Sequence, residues 1–171
     1  MTSGAGSLEP AASPKSSALA AALRLLSGRR LTKSQLAQKL RDRGFEPGGI
    51  QNAVDECERQ RYLDDRTYAQ LFVKSLLDRK AVGRMRLLHD LLRHGIDGDL
   101  AREVLDEFPD EDDSRIERAL AKLETLRPED GYEQLGRRLE RLGFTAPEIA
   151  KALRRRAKER GAFPVRFEAL E

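Results

Sequence analysis

The sequence predicts an all-α fold built as three tandem three-helix repeats. Three observations carry this. The chain of 171 residues is 36% charged, 39% hydrophobic and only 5% aromatic, with no Trp. A thick core needs more apolar mass, whereas thin helical layers each bury one stripe and leave the other faces in water. Strand signals are absent, because no sustained period-two alternation occurs and Val, Ile, Tyr and Phe are sparse. Finally, the apolar pattern repeats around Gly44, Gly95 and Gly143, which are spaced by 51 and then 48 residues (44 to 95, 95 to 143).

Aligned on these glycines, equivalent positions share an apolar character. Eight residues before stand Leu36, Leu87 and Leu135; four before stand Leu40, Leu91 and Leu139. Directly after come Phe45, Ile96 and Phe144. Six residues after stand Ile50, Ala101 and Ile149, and ten after stand Val54, Leu105 and Leu153. The two positions before the glycine share one helix face, and the last two form a stripe on the next helix. A glycine just past a helix takes the left-handed conformation that closes it, and the apolar residue that follows packs back on the last turn. Each copy is therefore a glycine-tipped helical hairpin.

A further helix precedes each hairpin, over Ala18 to Ser27, Arg66 to Arg79 and Arg115 to Leu126. Thr32 with Gln35 and Ser114 with Glu117 fit the capping box, and Asp130 with Glu133 resembles it. Pro47 suits a first helical turn. Asp64 and Asp65, immediately before a helix, read as capping groups rather than a catalytic pair. The expected organisation is a disordered tail at 1–17, repeats at 18–63, 64–108 and 114–160, an acidic hinge at 109–113, and a C-terminal tail at 161–171. Asp106 to Asp113 holds six carboxylates in eight positions around Pro109. Self-repulsion and proline favour an exposed joint there. The last tail carries apolar Phe163, Val165 and Phe167.

Catalysis is not indicated. His89 and His94 have no further His or Cys to complete a metal site. Gly48-Gly49 lacks the lysine of a phosphate loop. Cys57 is the single cysteine, so no intrachain disulfide forms, which fits a reducing cytoplasm; it reads as a partly buried, unreactive thiol. No run approaches the roughly 18 apolar residues of a membrane span, and residues 1–17 lack the layout of a signal peptide. The chain is expected to be a soluble cytoplasmic monomer without cofactor or metal.

Charge placement is more informative than the net charge of +3. Between Lys74 and Arg93 lie six bases (Lys74, Arg79, Lys80, Arg84, Arg86, Arg93) against Asp78 and Asp90. Between Arg137 and Arg160 lie nine bases against three carboxylates, including Arg137, Arg138, Arg141 and the run Arg154-Arg155-Arg156. These twelve named residues are the candidate contacts for an acidic partner. The bland alternative is a set of solvated helix faces with weak ion pairs.

Three-helix units with tight turns also resemble helix-turn-helix domains, whose last helix enters the major groove. In the first repeat that helix carries Asp55, Glu56 and Glu58, and in the second Asp99, Glu103, Asp106 and Glu107. Phosphates repel such helices. A directly DNA-binding protein is therefore the alternative reading, with nonspecific contact to single- or double-stranded DNA left to the middle connector or the last repeat.

Specific stretches resemble the RecX family of bacterial regulators: Leu40-Arg41-Asp42-Arg43-Gly44-Phe45, then Tyr62-Leu63-Asp64-Asp65 followed by Tyr68-Ala69 and Phe72-Val73, then Gly83 leading to Leu91-Leu92-Arg93-His94-Gly95-Ile96. The resemblance spans about residues 18–160 and is loosest in the third repeat. The family usually has glycine before the Tyr/Phe-Leu-Asp-Asp stretch, where Arg61 stands here. The resemblance implies an elongated, curved array that lodges in the groove of the RecA–single-stranded-DNA filament. It further implies inhibition of filament growth, ATP hydrolysis and strand exchange, and thus a part in DNA repair, recombination and the SOS response. Under this expectation the middle basic segment meets the filament or its DNA, the last repeat supplies a second contact, and the joint around Pro109 adjusts curvature.

Overall fold

The computed structural model describes residues 17–109 and 114–161. The expected tail residues 1–16 and 162–171, and residues 110–113 of the expected hinge, lie outside them. The described residues form nine helices and no strand. The chain divides into two compact units, Met1–Leu63 and Asp64–Glu171.

The first unit holds α1 (Ala18–Gly28), α2 (Lys33–Arg41) and α3 (Pro47–Arg59). Its core joins Ala22, Leu36, Leu40, Ile50, Val54, Cys57 and Leu63. Local chemistry sets each boundary. Thr32, fully buried, accepts from the Gln35 N–H at 3.1 Å while the Gln35 side chain accepts from the Thr32 N–H at 3.3 Å, completing the expected capping box. Gly44, at φ +80°, ends α2, and the Phe45 N–H returns to the Leu40 carbonyl. Pro47 opens α3. At the far end of α3 Arg61 takes φ +60° where glycine would be relaxed, and the Tyr62 N–H reaches back to the Cys57 carbonyl at 2.8 Å.

The second unit holds α4 (Asp65–Arg79), α5 (Arg84–Arg93), α6 (Gly98–Asp106), α7 (Ser114–Leu126), α8 (Tyr132–Arg141) and α9 (Ala146–Glu159). Asp64 caps α4 by accepting from the Thr67 N–H at 2.9 Å. One core gathers Ala69, Val73, Val82, Leu87, Leu91, Ile96 and Val104 from α4–α6. A second gathers Ile116, Leu120, Leu135, Leu139, Phe144 and Leu153 from α7–α9. Leu142 packs against both. Of the fifteen aligned apolar positions fourteen are buried, and Phe45 alone is half-buried.

One expected cap differs. Asp130 does not cap α8; Gly131 occupies that position, and Asp130 instead receives the Arg138 guanidinium. Glu117 on α7 turns toward Arg155 and Arg156 on α9. One device was not anticipated: the Glu148 carboxylate accepts from the Thr145 N–H at 2.6 Å and from its hydroxyl at 2.7 Å, fastening the start of α9.

Candidate partner-binding surface

The twelve candidate cations fall into two groups once their partners are known. Arg84 donates to Asp106 at 2.6 Å and Arg86 to Asp90 at 2.9 Å, and Arg137 forms an ion pair with Glu133 at 2.9 Å. Arg138 pairs with Asp130, which raises the guanidinium pKa further through that bond. Arg155 pairs with Glu117; Arg156 reaches Glu117 at 3.4 Å, Glu124 at 3.6 Å and Glu159 at 3.3 Å. Arg160 adds a further ion pair with Glu124 at 3.0 Å. Glu117 and Glu124 on α7 thus face much of the basic run of α9. Arg154 is also engaged. Arg79 folds back on its own helix, donating to the Ser75 carbonyl and hydroxyl at 2.8 and 3.0 Å. Among the described residues no ion pair holds Lys74, Lys80, Arg93 or Arg141.

The backbone brings part of this set together. The connector between α4 and α5 lies against the turn between α8 and α9. The Gly83 N–H donates to the Leu142 carbonyl at 2.9 Å, and the Met85 N–H to the Gly143 carbonyl at 3.1 Å. A β-carbon on Gly83 would lie 2.1 Å from the Gly143 oxygen, and one on Gly143 2.3 Å from the Arg86 nitrogen. No side chain fits either place. Segments bearing Lys80, Arg84 and Arg86 therefore adjoin the one bearing Arg141, although these lie in different repeats. The sequence holds no local signal for this junction, because Gly83 matches an ordinary N-cap and Gly143 an ordinary C-cap.

The acidic third helices are partly neutralised as well. Arg66 on α4 reaches Glu103 and Glu107 on α6, both at 2.5 Å. On α3, Glu58 receives Lys33 at 2.5 Å and Glu56 receives Arg59 at 2.5 Å. The histidines are not equivalent. His94 sits beneath Phe72, with ring centroids 4.6 Å apart, and its Nδ1 is 2.6 Å from the Tyr68 hydroxyl. Among the described residues no cluster of His, Cys, Asp or Glu could hold a metal, and no helix is long and apolar enough to cross a membrane. Cys57 is free and fully buried, more so than expected. Burial, and secondarily the nearby Glu56 charge, push its thiol pKa up.

Comparison with known proteins follows the same repeats. Residues 18–57 match the family model described as RecX, first three-helix domain, and residues 64–105 match RecX, second three-helix domain. A protein named Regulatory protein RecX from Halorhodospira halophila is 32% identical over 142 residues, covering 77% of this chain and 83% of that one. Another of that name from Thermus thermophilus is 36% identical over 129 residues, covering 75% and 84%. A third, from Caldanaerobacter subterraneus, is 31% identical over 133 residues, covering 77% and 66%. In fold, the crystal structure of RecX from Lactobacillus salivarius superposes with a TM-score of 0.72 at 20% identity, over 81% of this chain and 93% of that one. The chain belongs to the RecX family of regulatory proteins.

Proposed function

We propose that the chain regulates the RecA recombinase by binding in the groove of the RecA–single-stranded-DNA filament and limiting its growth, ATP hydrolysis and strand exchange. Membership of the RecX family carries the reading. The charge geometry supports the manner of action. Lys80 and Arg141 keep their charges for a partner, and the exposed pairs of Arg84 and Arg86 are worth only about 0.5 kcal/mol each, so they exchange readily for other carboxylates or phosphates. Several weak patches on tandem units reinforce one another without a deep pocket. The basic last repeat is the weaker part of the surface, because α7 already faces α9 with Glu117 and Glu124. Any movement at a joint around Pro109 has to strain or break the Gly83–Leu142 and Met85–Gly143 bonds, which tie its two sides together.

The test is RecA ATPase on single-stranded DNA with this protein titrated in. Inhibition is expected, and the Arg84→Glu, Arg86→Glu double variant should weaken it. Undiminished ATPase at saturating protein refutes the reading. A gel shift on naked duplex with a steep salt slope, and no effect on the recombinase, would point instead to direct DNA binding.

A further inference from the structure

We propose that the first repeat carries a docking hollow for an acidic peptide segment with an apolar anchor, presented by the protein partner. The inference rests on the reading above for the identity of that partner. Three equivalent faces within the chain differ in what covers them. Each lies between the first helix of a repeat and the glycine turn of its hairpin.

In the register that brings Gly44 onto Gly95, Ala21 meets Phe72 and Arg43 meets His94. In the second repeat this face is closed from within, because Phe72 covers His94 and Tyr68 bonds to it. In the third repeat the turn Leu142-Gly143-Phe144 is closed from outside by the α4–α5 connector. Gly143 and Phe144 are buried there, and Ala81 packs into that core. In the first repeat nothing among the described residues closes the face. Ala21 is too small to do what Phe72 does, Gly44 is exposed with nothing within 4 Å of its would-be β-carbon, and a hollow of about 410 Å³ remains. It is lined by Ala21, Arg24, Leu25, Arg43 and Phe45. Phe45 is the residue that breaks the otherwise uniform burial of the repeat pattern.

Charge selects the occupant. Arg24 and Arg43 are exposed and, among the described residues, have no carboxylate partner. A lining of Ala21, Leu25 and Phe45 together with two cations suits an aliphatic or aromatic side chain with carboxylates beside it. A second copy of this chain is a poor fit, since the connector that closes the third repeat carries Lys80, is flanked by Arg79, Arg84 and Arg86, and would be repelled. A bare polyanion would engage the arginines but leave the apolar lining unused.

Two variants separate the two features. Ala21→Phe fills the hollow with the side chain the second repeat already uses. Arg24→Glu with Arg43→Glu reverses the rim without touching the core. Arg118→Glu with Lys122→Glu, on the exposed face of α7, controls for overall charge. Co-sedimentation with RecA–DNA filaments is the measurement, with circular dichroism melts confirming the folds. Relative to wild type and control, each variant should bind roughly ten-fold more weakly, as expected when an anchor or two rim charges are lost. Binding of both variants within about two-fold of their references would overturn the proposal. If the wild-type chain ignores filaments, the functional reading above fails. The hollow is then decided by anisotropy with a labelled peptide carrying Leu-Phe between acidic residues. Binding to wild type but not to Ala21→Phe would uphold the hollow, and no binding would overturn it.

Discussion

Replacing Gly83 by alanine adds one methyl group where the second and third repeats touch through their backbones. Gly83 sits at φ −77°, ψ 166°, extended backbone that alanine adopts freely. At an open site of this kind the change would stabilise by about 0.4–1 kcal/mol, by reducing the freedom of the unfolded chain. Here the new carbon would lie 2.1 Å from the Gly143 oxygen, 2.3 Å from its carbonyl carbon and 2.5 Å from the Phe144 nitrogen. All three are backbone atoms that cannot rotate aside, and ordinary contact needs about 3.5 Å. The connector must lift by more than the two hydrogen bonds from Gly83 and Met85 tolerate. Each is worth roughly 1 kcal/mol, and stranding a buried donor or acceptor adds to the loss. With the contacts of Ala81 and Leu142 also loosened, destabilisation of about 2–4 kcal/mol is expected.

Urea unfolding followed by circular dichroism gives the magnitude, and amide hydrogen exchange at Gly83 and Met85 gives the location. Neutral or increased stability with both amides still protected would refute the junction. Gly44→Ala is the matched comparison. It meets no atom within 4 Å, so only its φ of +80° opposes it, at about 1–2 kcal/mol. Gly143→Ala combines the two penalties, with φ +88° and a β-carbon 2.3 Å from the Arg86 nitrogen, and should be the most damaging of the three.

Other changes test other links. Arg61→Gly removes a left-handed conformation that a side chain opposes, and should stabilise the first repeat by about 1 kcal/mol in the same urea assay; an unchanged midpoint would mean that φ +60° is not strained there. Cys57 should resist an aromatic disulfide reagent in the native state and react fully in urea, because the thiol is buried and its pKa raised; fast native labelling would contradict its place in the core. The Asp97 carboxylate is held below the usual range by the N–H groups of Leu100 and then Asp99. A lowered folded pKa stabilises above the unfolded value of about 3.9 and is lost as pH falls through the folded one. The difference in melting temperature between wild type and Asp97→Ala should therefore shrink as pH drops below about 4, and a constant difference would remove the charge of Asp97 from the account.

The scaffold was readable because burial imposes a register. Leu36, Leu87 and Leu135 recur since each must point into its own core, and Gly44, Gly95 and Gly143 recur since each hairpin needs φ > 0. These constraints are local and survive in a single sequence. The junction was not readable. Gly83 and Gly143 are far apart in the chain, and each already has a local reason to be glycine or small. Their contact leaves no periodicity behind. The Asp130 cap failed for a similar reason: Arg138, two turns further along α8, competes for the same carboxylate and wins it.

Charge was the least readable property, and the cause lies in helix packing. A basic run counts every arginine equally, but packed helices sort them by what stands opposite. Arg155, Arg156 and Arg160 face Glu117 and Glu124 across the α7–α9 contact, so much of the densest basic stretch of the sequence is compensated within its own repeat. Arg84 likewise belongs to Asp106. Conversely Arg24 and Arg43, far apart in sequence, stand together at one hollow with no carboxylate partner among the described residues. Availability to a partner depends on what the fold leaves uncompensated. By that measure the hollow proposed in the first repeat is a more selective surface than the arginine run near the end of the chain.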